Sequence, residues 1–256
     1  MPCRSVNALI QKFYCGPLWV DGTRRFATLI GRYLQPGYRI LDLGAGSGKE
    51  GPINFRGTVQ AVFGLDSGRG IRNNAEIDHG VVGLAQALPF KAESFELVIS
   101  DWAIEHLSDP EGTVSEVFRV LKPSGLFSFR TGNLHHYSYA IAAATPEWFH
   151  QLVADRVRGI APRKGAIHPT YYRLNTRRRV RHCLARVGFV ERELVMIEPE
   201  PSYLMFSAPS FLLGLAYERV VNRASRFAEF RACILGCFEK PKSRQTLDQK
   251  RLTGES

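Results

Sequence analysis

The stretch "ILDLGAGSGKE" (residues 40–50) decides the fold. An aliphatic run passes into a turn with glycines at alternate positions, Gly44, Gly46 and Gly48, and with Asp42 two residues before the first. Such a run ending in glycines is a buried strand followed by a loop whose backbone can approach a ligand closely. The same residues overlap a second motif. "GSGKEG" (46–51) spells G-x-G-x-x-G, the fingerprint of dinucleotide-binding domains. In that register the motif starts beyond the strand end, and Pro52 falls directly after its third glycine, where a helix should be running. The fingerprint is therefore out of step with its strand. An acid, Asp66, closes the next apolar run, "VQAVFGLD" (59–66). A carboxylate there accepts hydrogen bonds from ribose hydroxyls, which supports an adenosyl ligand without choosing its class.

Outward from this loop, "YRILDL" (38–43), "VQAVFGLD" (59–66), "FELVIS" (95–100) and "LFSFRT" (126–131) read as strands. The first three are apolar on both faces, as expected of parallel strands buried between helices. Residues 21–35 read as a helix capped by Asp21, with Phe26, Leu29, Ile30, Tyr33 and Leu34 on one stripe. "PEGTVSEVFRVLK" (110–122) is a crossover helix carrying Val114, Val117, Phe118 and Leu121 on one face. The first crossover, "GKEGPINFRGTVQ", is broken by Gly51, Pro52 and Gly57 and predicts only a short, irregular helix. This alternation specifies an α/β fold with an open, doubly wound sheet and a ligand at the carboxyl ends of its strands.

Beyond residue 132 the pattern changes. "HHYSYAIAAATPEWFHQLVADRVRG" (135–159) is helical in part. "NTRRRVRHCLARVGF" (175–189) makes an amphipathic helix, capped by Asn175 or Thr176 and ended by Gly188, with Val180, Cys183, Leu184 and Val187 inward. "VERELVMIEP" (190–199) reads as a late strand. "FLLGLAYERVVNRASRFAEFRACILGCF" (211–238) reads as one basic, apolar-faced helix, either lying on an anionic membrane or packed over the substrate site. The tail after Lys240 is polar and is expected to be disordered. The expected organisation is an N-terminal helical cap (1–37), a ligand-binding domain (38–200) with a basic insertion at about 140–180, and a C-terminal helical and basic segment (201–256).

The net charge of +10 is localised: between Arg156 and Arg192 there are eleven Lys or Arg and one acid, Glu191. That excess suits an anionic partner, whether phosphorylated substrate, lipid headgroup or nucleic acid, or else a solvated basic face. The five cysteines include no C-x-x-C pair, so neither a disulfide framework nor a zinc site is expected. "MPCRSVNALIQKFYCG" does not read as a signal peptide. The uncharged run "PSYLMFSAPSFLLGLAY" (201–217) holds two prolines and three serines, which makes a poor membrane span. The expected location is cytoplasmic, with peripheral contact to an anionic membrane face as the alternative.

Four strings, "ILDLGAGSG", "VFGLDSG", "ALPFKAESFELVISDWAIEHLSDPEGTVSEVFRVLKPSG" and "LFSF", resemble in order and spacing the class I S-adenosylmethionine-dependent methyltransferases over about residues 36–132. The resemblance implies a mostly parallel, seven-stranded Rossmann-like sheet and S-adenosylmethionine as cofactor. It implies that Asp42, Gly44, Ala45, Gly46 and Gly48 pass around the methionine and ribose portions. Asp66 would hold the ribose diol and Ser67 would lie near the adenine, with Leu84 and Ala85 bordering the ring. "SDWAIEHL", with Asp101 and Trp102, would floor the site beside the sulfonium. Many relatives carry an acid where Leu84 stands, so one hydrogen bond, worth about 0.5–1.5 kcal/mol, is absent.

Methyl transfer from a sulfonium is an in-line displacement governed by positioning and desolvation, and an oxygen acceptor also needs a base. Glu105 and His106 leave a central strand in different directions, so one faces the cavity. His106 is the first candidate base, since imidazole titrates near neutrality. The alternative is that the pair only caps a helix or holds a loop. In "RTGNLHHYSY" (130–139), His136 is a second candidate base, and Asn133, His135 and Tyr137 could orient a polar substrate. A third ligand beside these histidines is not visible, so no metal is expected. Tyr171, Tyr172 and Arg173 suit a phosphorylated or glycosylated acceptor, or brace the basic helix. The expected function is methyl transfer to a small, glycosyl or lipid-linked acceptor, at oxygen. Its alternatives are a nucleic-acid methyltransferase using residues 156–192, although no RNA-binding module or N-P-P-[YF] string is present, and a non-catalytic cofactor-binding protein.

Overall fold

A computed structural model describes residues 4–16, 19–48, 53–144 and 169–242. Seven strands form one sheet: β1 (Arg39–Leu43), β2 (Ala61–Asp66), β3 (His79–Val82), β4 (Phe95–Asp101), β5 (Leu121–Gly132), β6 (Val190–Ile197) and β7 (Cys233–Glu239), in the order β3-β2-β1-β4-β5-β7-β6. Neighbours from β3 to β5 run parallel. β7 runs antiparallel to β5, since Lys240 meets Ser124 and Gly125 while Ala232 meets Asn133. The central strands are near-continuous in apolar burial: Ile40, Leu41, Phe95, Leu97, Val98 and Ile99 are all enclosed. A half-exposed face would have shown alternation instead.

The described helices are α1 (Arg4–Tyr14), α2 (Gly22–Gly31), α3 (Pro110–Val120), α4 (Tyr137–Ala144), α5 (Arg177–Val187) and α6 (Ala208–Arg223). Their ends follow local chemistry. The Asp21 carboxylate accepts the Arg24 N–H at 2.8 Å, the Asp109 side chain caps α3, and Thr176 caps α5. Gly188 ends α5 in the left-handed conformation, φ +113°.

By its internal contacts the chain divides into two units. The sheet unit comprises Phe26–Thr131, Pro169–Val195 and Ile234–Ser256, and the helical unit comprises Met1–Arg25, Gly132–His168 and Met196–Cys233. In the sheet unit α3 packs beside α5, with Phe118 and Phe189 edge to face at 5.0 Å. In the helical unit Val6, Tyr14 and Phe211 form a core joined by Leu9, Ile10, Phe13, Trp19, Met205 and Leu215.

The expected helix over 211–238 is three elements. α6 stops at Arg223, Ala224 is extended, Ser225–Phe230 is a 3-10 turn, and Cys233–Glu239 is β7. β7 is enclosed on both faces from Cys233 to Phe238, and a short wholly apolar run has no period that distinguishes strand from helix. The C-terminal segment therefore supplies a strand lying between β5 and β6 and is not a purely helical extension. β3 was not foreseen either: His79–Val82 is a short, mostly exposed edge strand whose two valines make too short an apolar run to read as one. In the first crossover, residues 53–60 form turns, and residues 49–52, which the expected short helix also covers, lie outside the described residues. So do 145–168, which hold much of the expected basic insertion, and the tail from 243.

Candidate functional site

The candidate site is built at the carboxyl ends of β1, β2 and β4 within the sheet unit. β1 ends at Leu43, and Gly44, Gly46 and Gly48 follow with φ of +83°, +56° and +96°. All three lie in the left-handed region, which costs other residues strain, so the alternation in the sequence is a backbone requirement. Gly44 also permits close approach: a Cβ there would stand 2.4 Å from the Ala103 Cβ.

Asp66, at the end of β2, fastens this loop. Its Oδ2 accepts the Gly46 N–H at 3.0 Å and its Oδ1 accepts the Gly68 N–H at 2.7 Å. Gly44 N–H and Ala45 N–H both point to the Leu65 carbonyl. A carboxylate has about four acceptor positions, so two backbone bonds leave capacity for ribose hydroxyls. Asn74 braces the other side, donating from Nδ2 to the carbonyls of Ala45 at 3.1 Å and Gly46 at 3.4 Å. Ser67 is exposed beside Asp66. The Gly83 N–H donates to the Asp66 carbonyl, which brings Leu84, 55% exposed, and Ala85 next to the same strand end. Asp42 lies within β1, half-buried and paired across the sheet with Gly64 and Ile99.

Asp101 departs from its expected cofactor role. Its carboxylate is buried and gripped by Arg130, Nε to Oδ1 at 2.6 Å and Nη2 to Oδ2 at 2.9 Å. A bidentate pair of this kind organises the strand end. The guanidinium lies over the rings of Trp102, at 5.1 Å, and Phe26, at 5.7 Å. Trp102 is held at φ +56°, a strained conformation that its N–H bond to the Arg130 carbonyl helps to maintain.

Glu105 and His106 do diverge, as expected. Glu105 is buried and accepts a hydrogen bond from Thr131 Oγ1 at 2.8 Å; Thr131 in turn accepts from Asn175 Nδ2 at 2.8 Å. Burial pushes its carboxyl up from the ordinary glutamate value, and the Asp101 charge adds to that. His106 is half-exposed, with Nδ1 3.0 Å from the Pro169 carbonyl. A carbonyl only accepts, so Nδ1 carries the hydrogen and Nε2 is the basic nitrogen of the neutral ring. The Tyr171 and Tyr172 N–H groups both donate to the Glu105 carbonyl. The Arg173 guanidinium lies over the Tyr171 ring and donates to the Ser108 carbonyl. Segments more than sixty positions apart thus meet at one place, and Glu105, His106, Tyr171, Tyr172 and Arg173 form a single cluster.

The second expected cluster belongs to the helical unit and is mostly committed to packing. Asn133 is fully buried and donates from Nδ2 to the carbonyls of Glu229 and Arg231, while its Oδ1 accepts the His135 N–H. His136 is 1% exposed, with Nδ1 2.7 Å from Ser138 Oγ and Nε2 3.3 Å from Glu198 Oε1. An enclosed ring does not meet an acceptor, so the expectation of His136 as base is set aside in favour of a buried His–Glu pair. Tyr137 packs on that ring at 4.2 Å, and burial and Glu198 push its hydroxyl up. His135 is exposed, 3.9 Å from Glu229.

Asn74, Ala103, Arg130 and Thr131 shape the site without having been singled out in the sequence, and Asn175, read only as a possible helix cap, bonds Thr131 instead. None carries a local signal, because each acts on a partner distant in the chain.

A family model described as a methyltransferase domain matches residues 41–129. The chain is 34% identical over 99 residues to the uncharacterized methyltransferase YcgJ of Bacillus subtilis (strain 168), covering 35% of this chain and 39% of that one. It is 36% identical over 109 residues to a malonyl-[acyl-carrier protein] O-methyltransferase of Methylococcus capsulatus, covering 38% of each. A ubiquinone/menaquinone biosynthesis C-methyltransferase of Ruegeria is 33% identical over 105 residues, covering 36% of this chain and 41% of that one. The chain therefore spans about two fifths of the length of these curated relatives. Among solved structures, a Haloferax volcanii methyltransferase bound to the Trm112 activator has a TM-score of 0.55 at 21% identity, covering 86% of this chain and 91% of that one. The YcgJ structure has a TM-score of 0.52 at 17% identity, covering 86% and 100%. At these identities the structures share the fold.

Proposed function

We propose, from the premise that residues 41–129 belong to the class I S-adenosylmethionine-dependent methyltransferases, that this protein methylates an oxygen of a small, glycosyl or lipid-linked acceptor. The observation that carries the reading is the glycine loop pinned by Asp66, whose Oδ2 stands 3.0 Å from the Gly46 nitrogen. Three left-handed glycines and one strand-end carboxylate fit an adenosyl group that has no phosphates to cradle. Bound there, S-adenosylmethionine would supply an electrophilic methyl on a sulfonium. Asp66 and Ser67 would hold the ribose and adenine end, with Leu84 and Ala85 against the ring. Gly44, Ala45, Gly46 and Gly48 would line the methionine portion, with Asp42 beneath them. Trp102, locked by Arg130, would wall the site rather than bind through Asp101.

At the acceptor side, His106 would take the hydroxyl proton at Nε2 while the Pro169 carbonyl fixes the ring. Buried Glu105 positions this turn through its carbonyl and its bond from Thr131. Arg173 and Tyr171 offer a cation and an aromatic face to an anionic or glycosyl acceptor. The relatives named above include both an O- and a C-methyltransferase; the proton acceptor at His106 favours oxygen.

Calorimetry with S-adenosylhomocysteine tests the donor site, and absence of binding at millimolar concentration sinks the reading. Metabolites and lipids compared with and without the gene should differ by one methylene in an O-methylated compound. A methyl found on carbon or on nucleic acid would refute the acceptor assignment.

A further inference from the structure

In the helical unit, α6 turns Phe211, Gly214, Glu218 and Val221 inward. Its opposite side leaves large apolar residues in solvent: Leu212 is 50% exposed, Leu213 67% and Val220 54%, with Ala216 exposed between them. Residues 212, 216 and 220 follow one another at helical spacing, so the stripe is continuous. Scattered apolar residues are ordinary on a protein surface, whereas a continuous stripe marks a contact surface.

Arg219 and Arg223, seven and eleven residues beyond Leu212 and so on its side of α6, are exposed, and Arg219 stands 3.7 Å from the buried Glu218 carboxylate. Arg226, just beyond α6, and Lys12 on α1 are exposed as well. Most described acids of this unit are withdrawn. Glu198 and Glu218 are buried, Asp21 and Glu200 are partly so, and Glu229, with a side chain 43% exposed, faces His135 at 3.9 Å; α6 itself carries no exposed acid. α6 has sixteen residues, and no described helix is long and apolar enough to cross a membrane. A helix with an apolar stripe, arginines at one end and no exposed acid complements an anionic bilayer surface. Nucleic acid would match the arginines but offers nothing to Leu212, Leu213 and Val220. A second copy in a symmetric contact would bring its own arginines to the same face.

We propose that α6 lies on an anionic membrane surface, with Leu212, Leu213, Ala216 and Val220 in the headgroup–acyl boundary and Arg219, Arg223 and Arg226 among lipid phosphates. That this surface presents a lipid-borne acceptor rests on the methyltransferase reading; the docking itself does not.

Full-length protein sedimented with phosphatidylcholine vesicles, with or without about 30% phosphatidylglycerol, tests this. Binding is expected with the anionic vesicles alone and should weaken as salt rises. Leu212→Asp/Leu213→Asp should lower it at least about ten-fold. Arg219→Gln and Arg223→Gln should each lower it about five-fold. Because these side chains are exposed, circular dichroism of each variant should match the parent. Equal binding to neutral vesicles, undiminished binding by the double aspartate variant, or no binding to anionic vesicles overturns the proposal. So does a dimer that this variant dissociates in the absence of vesicle binding. S-adenosylhomocysteine affinity on the same samples reports separately on the donor site, and its absence with vesicle binding intact overturns only the loop reading.

Discussion

At the residue scale, one carboxylate joins loop geometry to ligand chemistry. Asp66 bonds the N–H groups of Gly46 and Gly68, so Asp66→Ala removes a brace of the glycine loop together with a ribose acceptor. Hydrogen bonds to charged groups are worth about 1.5–3 kcal/mol each, so affinity for S-adenosylhomocysteine should fall at least ten-fold by calorimetry. Unchanged affinity would mean the loop is misassigned. His106→Gln should slow turnover by about 10²–10⁴ while leaving that affinity intact, the split expected of a general base. Glu105 makes a pH-dependent prediction. Its folded value is raised, so its contribution to stability is complete below the ordinary 4.5 and is lost as pH rises through the folded value. Glu105→Gln keeps an acceptor for Thr131 without titrating. Urea denaturation should show the variant gaining on the parent as pH rises above the ordinary glutamate value. A constant difference would contradict the burial argument.

At the element scale, β7 is the strand on which the architecture depends, though it arrives last. Ile234 and Cys237 are fully buried, and burial pushes the Cys237 thiol up to about 12. Ile234→Val should cost about 0.5–1.5 kcal/mol and Ile234→Ala about 2–5 kcal/mol in chemical denaturation. Had this segment been the surface helix read from 211–238, both costs would be near zero. The same strand bears on truncation: removing residues 201–256 would take away β7 with α6, so loss of membrane binding in that variant would say nothing about α6. Point substitutions on α6 avoid this.

At the scale of the molecule, the chain passes repeatedly between its two units, and neither is a continuous stretch. The domain expected from the sequence, 38–200, lacks β7, which lies between β5 and β6. Expressed alone, 38–200 would leave β6 with no hydrogen-bonded neighbour and β5 with only β4. It should be insoluble or unfold without cooperativity, as read by near-ultraviolet circular dichroism and urea titration. A cooperative transition like that of the full chain would show that β7 is dispensable.

The sequence by itself determined the α/β class, the strands β1, β2 and β4, the glycine loop and the carboxylate that follows it. Each depends on consecutive residues: left-handed turns demand glycine, and strands enclosed on both faces demand unbroken apolar runs. Only the tertiary structure decided which polar side chains face the site. Asp101 is taken by Arg130, twenty-nine positions away, and Asn133 by carbonyls nearly a hundred away, while His136 is enclosed beside Glu198. The same holds for β7, whose apolar run fits either period until its neighbours in the sheet are known. Partnership between distant residues leaves no local pattern, because it is set by packing and not by the order of adjacent side chains.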